Sequence, residues 1–275
     1  MKKIDIPPLN HGTAMSSDRY QTVFISDIHL GFKGCQAEEL LEFLNTIETK
    51  TLYLVGDIID VWQMKKGVYW PQSHNNVLRK IFGMAKTGTR IIYIPGNHDE
   101  IFREYDGSSF GNIEIKKNAI HQLVNGKKML VMHGDELDAV VQSSKLVAMA
   151  GSTLYDWLLK VNHWLNIVRR KLGFKYWSLS ACIKHKVKNA VSYISNFEHA
   201  LTYEAKRRGV DGLICGHIHH AEITQIDGLT YCNDGDWVES CTALTEDFEG
   251  NLKILNWMDR QDNVELSVVS KEKAA

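Results

Sequence analysis

With 275 residues, 44% hydrophobic and 24% charged, the chain has the apolar mass of one large domain, or of a domain with an inserted subdomain, which excludes a disordered protein. A formal net charge of -1 excludes the overall basic footprint of a nucleic-acid binder, so any anion binding is expected to be local. No window approaches the roughly 18 uninterrupted apolar residues of a membrane span, and the N-terminus carries lysines without an apolar stretch, so a cytoplasmic chain is expected.

A polar, Pro-containing lead occupies residues 1–18, and "TVFISD" after it reads as a buried strand. "QAEELLEFLNTIE" places Leu40, Leu41, Leu44 and Ile47 at helical spacing, which completes a βα unit. The pattern recurs in strand "TLYLVGD", a helix from about Ser73 to Lys86, strand "TRIIYIPGNHD" and strand "KKMLVMHGD". From 137 to 208 the chain becomes continuously helical, with Val187, Val191, Ile194, Leu201 and Ala205 near one face, and this is the expected insertion. Between Trp157 and Phe197 it has no Asp or Glu. It does carry Lys160, Arg169, Arg170, Lys171, Lys175, Lys184, Lys186 and Lys188, with Trp157, Trp164 and Trp177 among them. Strand "VDGLICGHIHH" follows. From Ile223 onward, alternation punctuated by Asp-Gly and Glu-Gly turns predicts antiparallel hairpins. The main domain is expected over 19–257, with a polar tail over 258–275.

Short apolar strands separated by helices imply a sheet covered on both faces, hence an α/β layered fold. Five cysteines (Cys35, Cys182, Cys215, Cys232 and Cys241), an odd number with no C-x-x-C, read as free thiols in a reducing compartment.

The polar residues gather at strand ends: Asp27 and His29, Asp57, Asn97 and His98, His133, and His217 with His219. The carboxyl edge of such a sheet is where a ligand site forms. Carboxylate, imidazole and amide oxygen suit divalent Mn, Fe or Zn. Residues i and i+2 of an extended segment share a side, so the pairs Asp27/His29 and His217/His219 can each aim two groups at one cluster. Glycine precedes Asp57, Asn97 and His217 and follows His133, as expected where backbone crowds a small ion.

"DIH", "GDIID", "GNHDE", "HGD" and "GHIH", in that order from Asp27 to His219, resemble the calcineurin-like metallophosphoesterase superfamily. The resemblance implies an αββα sandwich and two divalent metals. One would be held by Asp27, His29, Asp57 and His219, the other by Asp57, Asn97, His133 and His217, with a hydroxide between them as nucleophile. His98 matches the family's catalytic histidine. Asp99 would orient it, or else cap the helix before "EIFREY"; Asp60 is expected to sit behind the ligands.

Within that superfamily, "SDIHLG", "GDIIDVW", "HGDELD", the helical insertion and "GHIHHAE" resemble the UDP-2,3-diacylglucosamine diphosphatase branch of lipid A synthesis. This likeness implies release of UMP from an amphipathic nucleotide-sugar lipid, typically with manganese, on the inner face of the membrane. The basic, Trp-containing insertion would be its platform, although "YDWLLKVNHWLNIVRRKLG" also reads as an ordinary amphipathic helix packed on a neighbour. No nucleic-acid partner is expected. The chain departs from the branch at His98, where arginine is common. "YCNDGDWVES" also stands where many relatives have a shorter turn. Gly235 reads as a turn residue there, while Asp234, Asp236 and Trp237 are open between turn and pocket. Two alternatives stay open: the same chemistry on a soluble phosphoester, and a non-catalytic metal-binding scaffold. The usual mark of a scaffold is a lost ligand, and every ligand position here is filled.

Overall fold

The computed structural model of the chain describes residues 18–137 and 200–260. The polar lead, nearly all of the expected insertion with its basic and tryptophan residues, and most of the tail lie outside the described residues. Four of the five cysteines are described, and all four are free thiols.

The first sheet is built from β1 (Asp18–Ile25), β2 (Ile47–Val55), β3 (Arg90–Ile94), β4 (Ser109–Phe110), β5 (Ile113–Ile115), β11 (Thr242–Glu246) and β12 (Leu252–Asn256). Its order is β12-β11-β1-β2-β3-β5-β4, with β1, β2, β3 and β5 parallel. The second comprises β6 (Ala119–Gln122), β7 (Lys128–Val131), β8 (Gly212–Cys215), β9 (Glu222–Ile226) and β10 (Leu229–Asn233), ordered β6-β7-β8-β10-β9, with β7, β8 and β10 parallel.

The period of two along each strand sorts its side chains into three layers. Phe24, Tyr53, Val55, Ile92 and Ile94 from the first sheet meet Met129, Val131, Ile214 and Cys232 from the second. The intervening residues Val23, Ile25, Leu52, Leu54 and Ile91 turn outward against α1 (Ala37–Thr46) and α3 (Gln72–Lys86). On the far side, Leu130, Leu213 and Tyr231 pack against Leu201 and Ala205 of the helical stretch 200–208. The result is helix, sheet, sheet, helix, the expected αββα sandwich. Each fully buried Leu, Ile or Phe contributes on the order of 1.5–3 kcal/mol through removal from water, so the central strands form the stable frame.

One local expectation is corrected. The first helix stops at Thr46, and Ile47 adopts extended backbone (φ -107°, ψ 150°) to open β2; Phe43, fully buried, completes the apolar face instead. The two antiparallel hairpins expected from Ile223 onward are present, and they lie in different sheets. β9–β10 joins the second sheet through β8, and β11–β12 joins the first through β1, so residues 234–241 cross from one sheet to the other. Among the described residues no helix is long and apolar enough to cross a membrane.

Candidate metal centre

β1, β2, β3, β7 and β8 all end at one border of the sandwich, and the polar residues of the sequence motifs follow directly. Beyond β1 the chain keeps pairing with the segment beyond β2: Asp27 N–H donates to Gly56 O at 3.0 Å and His29 N–H to Asp57 O at 2.8 Å. The extended alternation expected here is not what turns the pairs inward. Asp27, His29, Asp57, His217 and His219 all have left-handed φ values, between 50° and 69°. This backbone aims Asp27 and His29 into the site while Ile28 and Leu30 go into the core at 0% exposure. A non-glycine residue in this region costs roughly 1–2 kcal/mol and persists only where its surroundings over-determine it.

The structure brings all seven sequence-derived ligand candidates to this border. Ligand atoms of Asp27, His29 and His219 lie within 4.8 Å of one another, as do those of Asp27, Asp57 and His133. Asp57 Oδ2 is central, 3.4 Å from His133 Nε2 and 3.8 Å from His29 Nε2. The ring of His217 is 5.1 Å from that of His133. Room for this crowding comes from two glycines. A Cβ at Gly56 would stand 2.2 Å from His133 Nδ1, and one at Gly96 would stand 2.3 Å from Asp57 Oδ1.

Hydrogen bonds behind the cluster determine what its atoms present. His133 Nδ1 lies 2.8 Å from Val55 O, which only accepts, so this nitrogen carries a proton and Nε2 is the atom turned toward Asp57. His29 Nδ1 is held by Asp60 Oδ2 at 3.0 Å, and its Nε2 faces the cluster, 3.8 Å from both Asp27 Oδ1 and Asp57 Oδ2. Both Nε2 atoms and Asn97 Oδ1 are buried without a hydrogen-bond partner. Buried polar atoms left unpaired are costly, and these three are the atoms a divalent cation would satisfy, displacing any proton on the imidazoles. With the carboxylates of Asp27 and Asp57 they form a mixed N/O donor set that fits Mn, Fe or Zn.

Asp99 does not take the position expected of it. Its carboxylate accepts from the backbone N–H groups of Asp57, Ile58, Ile59 and Gly96 and from Tyr93 Oη–H, tying the loops after β2 and β3 together. It makes no side-chain cap on the helical turn it precedes. The carboxylate bonded to His98 is that of Asp60, with Oδ1 2.9 Å from Nδ1. Two contacts had no role in the sequence reading. Trp62, present in "GDIIDVW", lies over the His98 ring at 4.6 Å and 33°, and Arg103 joins Pro95 O to Asp135 across the loops after β3 and β7. Asp234, Asp236 and Trp237 are buried, Trp237 against Phe43 in the core, so they lie beneath the site rather than line an open pocket. Gly235 has the left-handed φ of a turn, +87°.

The electrostatics follow from burial and crowding. Burial alone would raise the Asp57 carboxyl, but the imidazoles of His133, His29 and His98 outweigh it and hold the group well below its ordinary range. Asp27 is likewise lowered, chiefly by His219, and Asp60 by its bonds to His29 and His98, each against the opposing effect of burial. Burial pushes His133 down, yet Asp57 and Asp27 draw it well above the imidazole range. His98 is raised by Asp60 and Asp57 in spite of its own burial. Asp99 is raised by burial and by the Asp57 charge. The cluster is a sink for positive charge.

The family model for calcineurin-like phosphoesterases matches residues 20–221. The chain belongs to the calcineurin-like phosphoesterase family. With this family and these ligand candidates, it is a metal-dependent phosphoester hydrolase. Among curated relatives, a protein of Blochmanniella pennsylvanica named UDP-2,3-diacylglucosamine hydrolase is 26% identical over 208 residues, covering 74% of this chain and 81% of the relative. A protein of the same name from Neisseria meningitidis serogroup B is 28% identical over 222 residues, covering 78% and 88%. Among solved structures, a hypothetical protein from Pyrococcus horikoshii aligns with 90% of this chain and 93% of its own, at a TM-score of 0.46 and 12% identity.

Proposed function

We propose that this calcineurin-like phosphoesterase hydrolyses the diphosphate of UDP-2,3-diacylglucosamine, or of a similar nucleotide-linked lipid, to release UMP. The observation that carries the reading is the convergence of five strand ends on unpartnered His29 Nε2, His133 Nε2 and Asn97 Oδ1 around Asp57. The curated relatives named for this substrate support its finer part.

Asp27, His29, Asp57 and His219 would hold one cation, and Asp57, Asn97, His133 and His217 the other, with manganese as the preferred ion. When bound, the pair supplies charge neutralisation for the phosphoryl oxygens and acidifies water. His98 is the acid. Its Nδ1 is engaged by Asp60, and Nε2 faces the site 3.9 Å from Asp57 Oδ2, placed to pass a proton to the departing oxygen. Trp62, 40% exposed, covers one face of that ring and limits its movement. The basic, Trp-containing stretch 157–197 would meet the anionic headgroups of a membrane surface.

A second reading keeps the chemistry and changes the substrate to a soluble phosphodiester; it is favoured by His98 standing where the lipid A branch commonly has arginine. Manganese-dependent UMP release from UDP-2,3-diacylglucosamine in mixed micelles, with bis-p-nitrophenyl phosphate as a generic ester, separates the two. UMP release that is lost in Asn97→Ala supports the lipid-linked reading. Cleavage of the generic ester alone discards it and keeps the hydrolase.

A further inference from the structure

Three side-chain oxygens stand in a row beneath the proposed cations: Asp234 Oδ1, Ser26 Oγ and Asp27 Oδ2, with both intervals 2.6 Å. All three residues are almost fully buried, at 0%, 1% and 0% exposure respectively. Oxygens this close need a hydrogen between them, so the row requires two. The Ser26 hydroxyl has one. The second must sit on a carboxyl group.

Asp27 is not its place. Asp27 Oδ2 already accepts the backbone N–H of His217 at 2.9 Å, and Oδ1 faces His219 Nε2 at 2.9 Å, which are the surroundings of an ionised carboxylate. Asp234 has less to hold a charge. Like Asp27 Oδ1, its Oδ2 is buried with no hydrogen-bond partner, but unlike Asp27 it forms no ion pair among the described residues, a setting that a charged oxygen tolerates poorly and the carbonyl oxygen of a neutral acid tolerates far better.

We infer that Asp234 is a neutral carboxylic acid that donates to Ser26 Oγ, so that the Ser26 hydroxyl donates to Asp27 Oδ2 and leaves Asp27 Oδ1 for the cation. Were Asp234 ionised, two anions would compete for one hydroxyl hydrogen and Asp27 would lose a donor. Gly235 O, 3.2 Å from Ser26 Oγ, is a longer and weaker alternative acceptor. Burial, reinforced by the Asp27 charge, pushes the Asp234 carboxyl well above its ordinary range, consistent with the proton count. Asp234 touches neither substrate nor cation. It is a positioning residue, 208 positions from the serine through which it acts, and this role rests on the reading of Asp27 as a metal ligand.

The test uses the full chain, stripped with a chelator and titrated with Mn(II) by calorimetry, together with infrared spectra at neutral pH. Asp234→Leu is expected to weaken Mn(II) binding about 10- to 100-fold, the usual effect of losing a group behind a ligand. Asp234→Asn keeps a neutral donor toward Ser26 and should recover most of that loss. Ser26→Ala, a smaller change at the middle of the row, should weaken binding to a similar degree. The infrared difference between the parent and Asp234→Asn should contain the C=O stretch of a protonated carboxylic acid.

No such band overturns the inference. So does Asn proving as harmful as Leu, since charge would then be what matters, or Ser26→Ala binding Mn(II) as tightly as the parent. If the parent chain binds no Mn(II), the metal-centre reading fails and the positioning role fails with it, while the infrared band still decides separately whether Asp234 holds the proton.

Discussion

Asp60 Oδ1 lies 2.9 Å from His98 Nδ1, and this one buried carboxylate links the acid of the proposed reaction to the metal cluster. Its other oxygen holds His29 Nδ1 at 3.0 Å, and Oδ1 also accepts the N–H of Gln63, capping the short helix α2 (Val61–Lys66). The two imidazoles meet edge to face at 4.6 Å, so moving the carboxylate disturbs both.

Asp60→Asn has one acceptor oxygen where three donors converge. Turnover is expected to fall about 10- to 100-fold, as for other groups that orient ligands. The pH profile should move as well. Burial lowers the His98 pKa, and Asp60 with Asp57 raises it above the ordinary value. An acid acts while protonated, so activity is lost as pH rises through that pKa, and without the Asp60 charge the loss should begin at lower pH. A pH–rate profile of the variant with an unmoved alkaline limb would separate Asp60 from His98.

His98→Ala should discriminate between leaving groups. A positioned general acid contributes about 10²- to 10⁴-fold where the departing oxygen needs a proton, and p-nitrophenolate needs one least. The variant is expected to lose activity toward an alkyl phosphodiester by that factor while hydrolysing bis-p-nitrophenyl phosphate far more nearly at the parent rate. Equal losses on both esters, with Mn(II) affinity intact, would move His98 from proton donor to electrostatic stabiliser of the phosphoryl group.

The frame was legible because β1, β2, β3, β7 and β8 end in short apolar runs followed closely by Gly, Asp, Asn or His, too short for helices, which is the pattern of buried central strands. How Asp27 and His29 converge was not legible: spacing of two suggested extended alternation, whereas φ values of 50° and 55° do the work. Nor does spacing separate Asp60 from Asp99, since contact with His98 depends on where two loops pass in space. Two hairpins of similar composition gave no sign that β10 and β11 belong to different sheets. That crossing is what carries Asp234 beneath Ser26.

Gly56 tests whether cluster geometry limits metal loading. Its φ of +84° disfavours any side chain, and an added Cβ would meet the His133 ring at 2.2 to 2.3 Å. Gly56→Ala is expected to cost on the order of 1–3 kcal/mol in stability. It should also displace His133 from Asp57, so that the purified protein carries about one equivalent of Mn(II) in place of two. Metal analysis beside thermal unfolding checks this; full loading with an unchanged melting point would show that the ring moves aside freely.

Removing metal should itself lower stability. The folded chain holds unpartnered His29 Nε2, His133 Nε2 and Asn97 Oδ1 beside buried Asp27 and Asp57, an arrangement that the unfolded chain lacks, so cations bind the native state preferentially. At a free concentration 100 times Kd, each site adds about 2.7 kcal/mol. For a domain of 150–250 residues, 1 kcal/mol moves Tm by about 2–4 °C, so chelation should lower Tm by about 5–10 °C for each site emptied. Asp57→Ala, which removes the ligand common to both sets, is expected to abolish the Mn(II)-dependent shift, whereas His219→Ala should retain about half. Equal residual shifts in these two variants would mean that Asp57 does not bridge two cations, and a parent Tm indifferent to Mn(II) would mean that this cluster does not bind them.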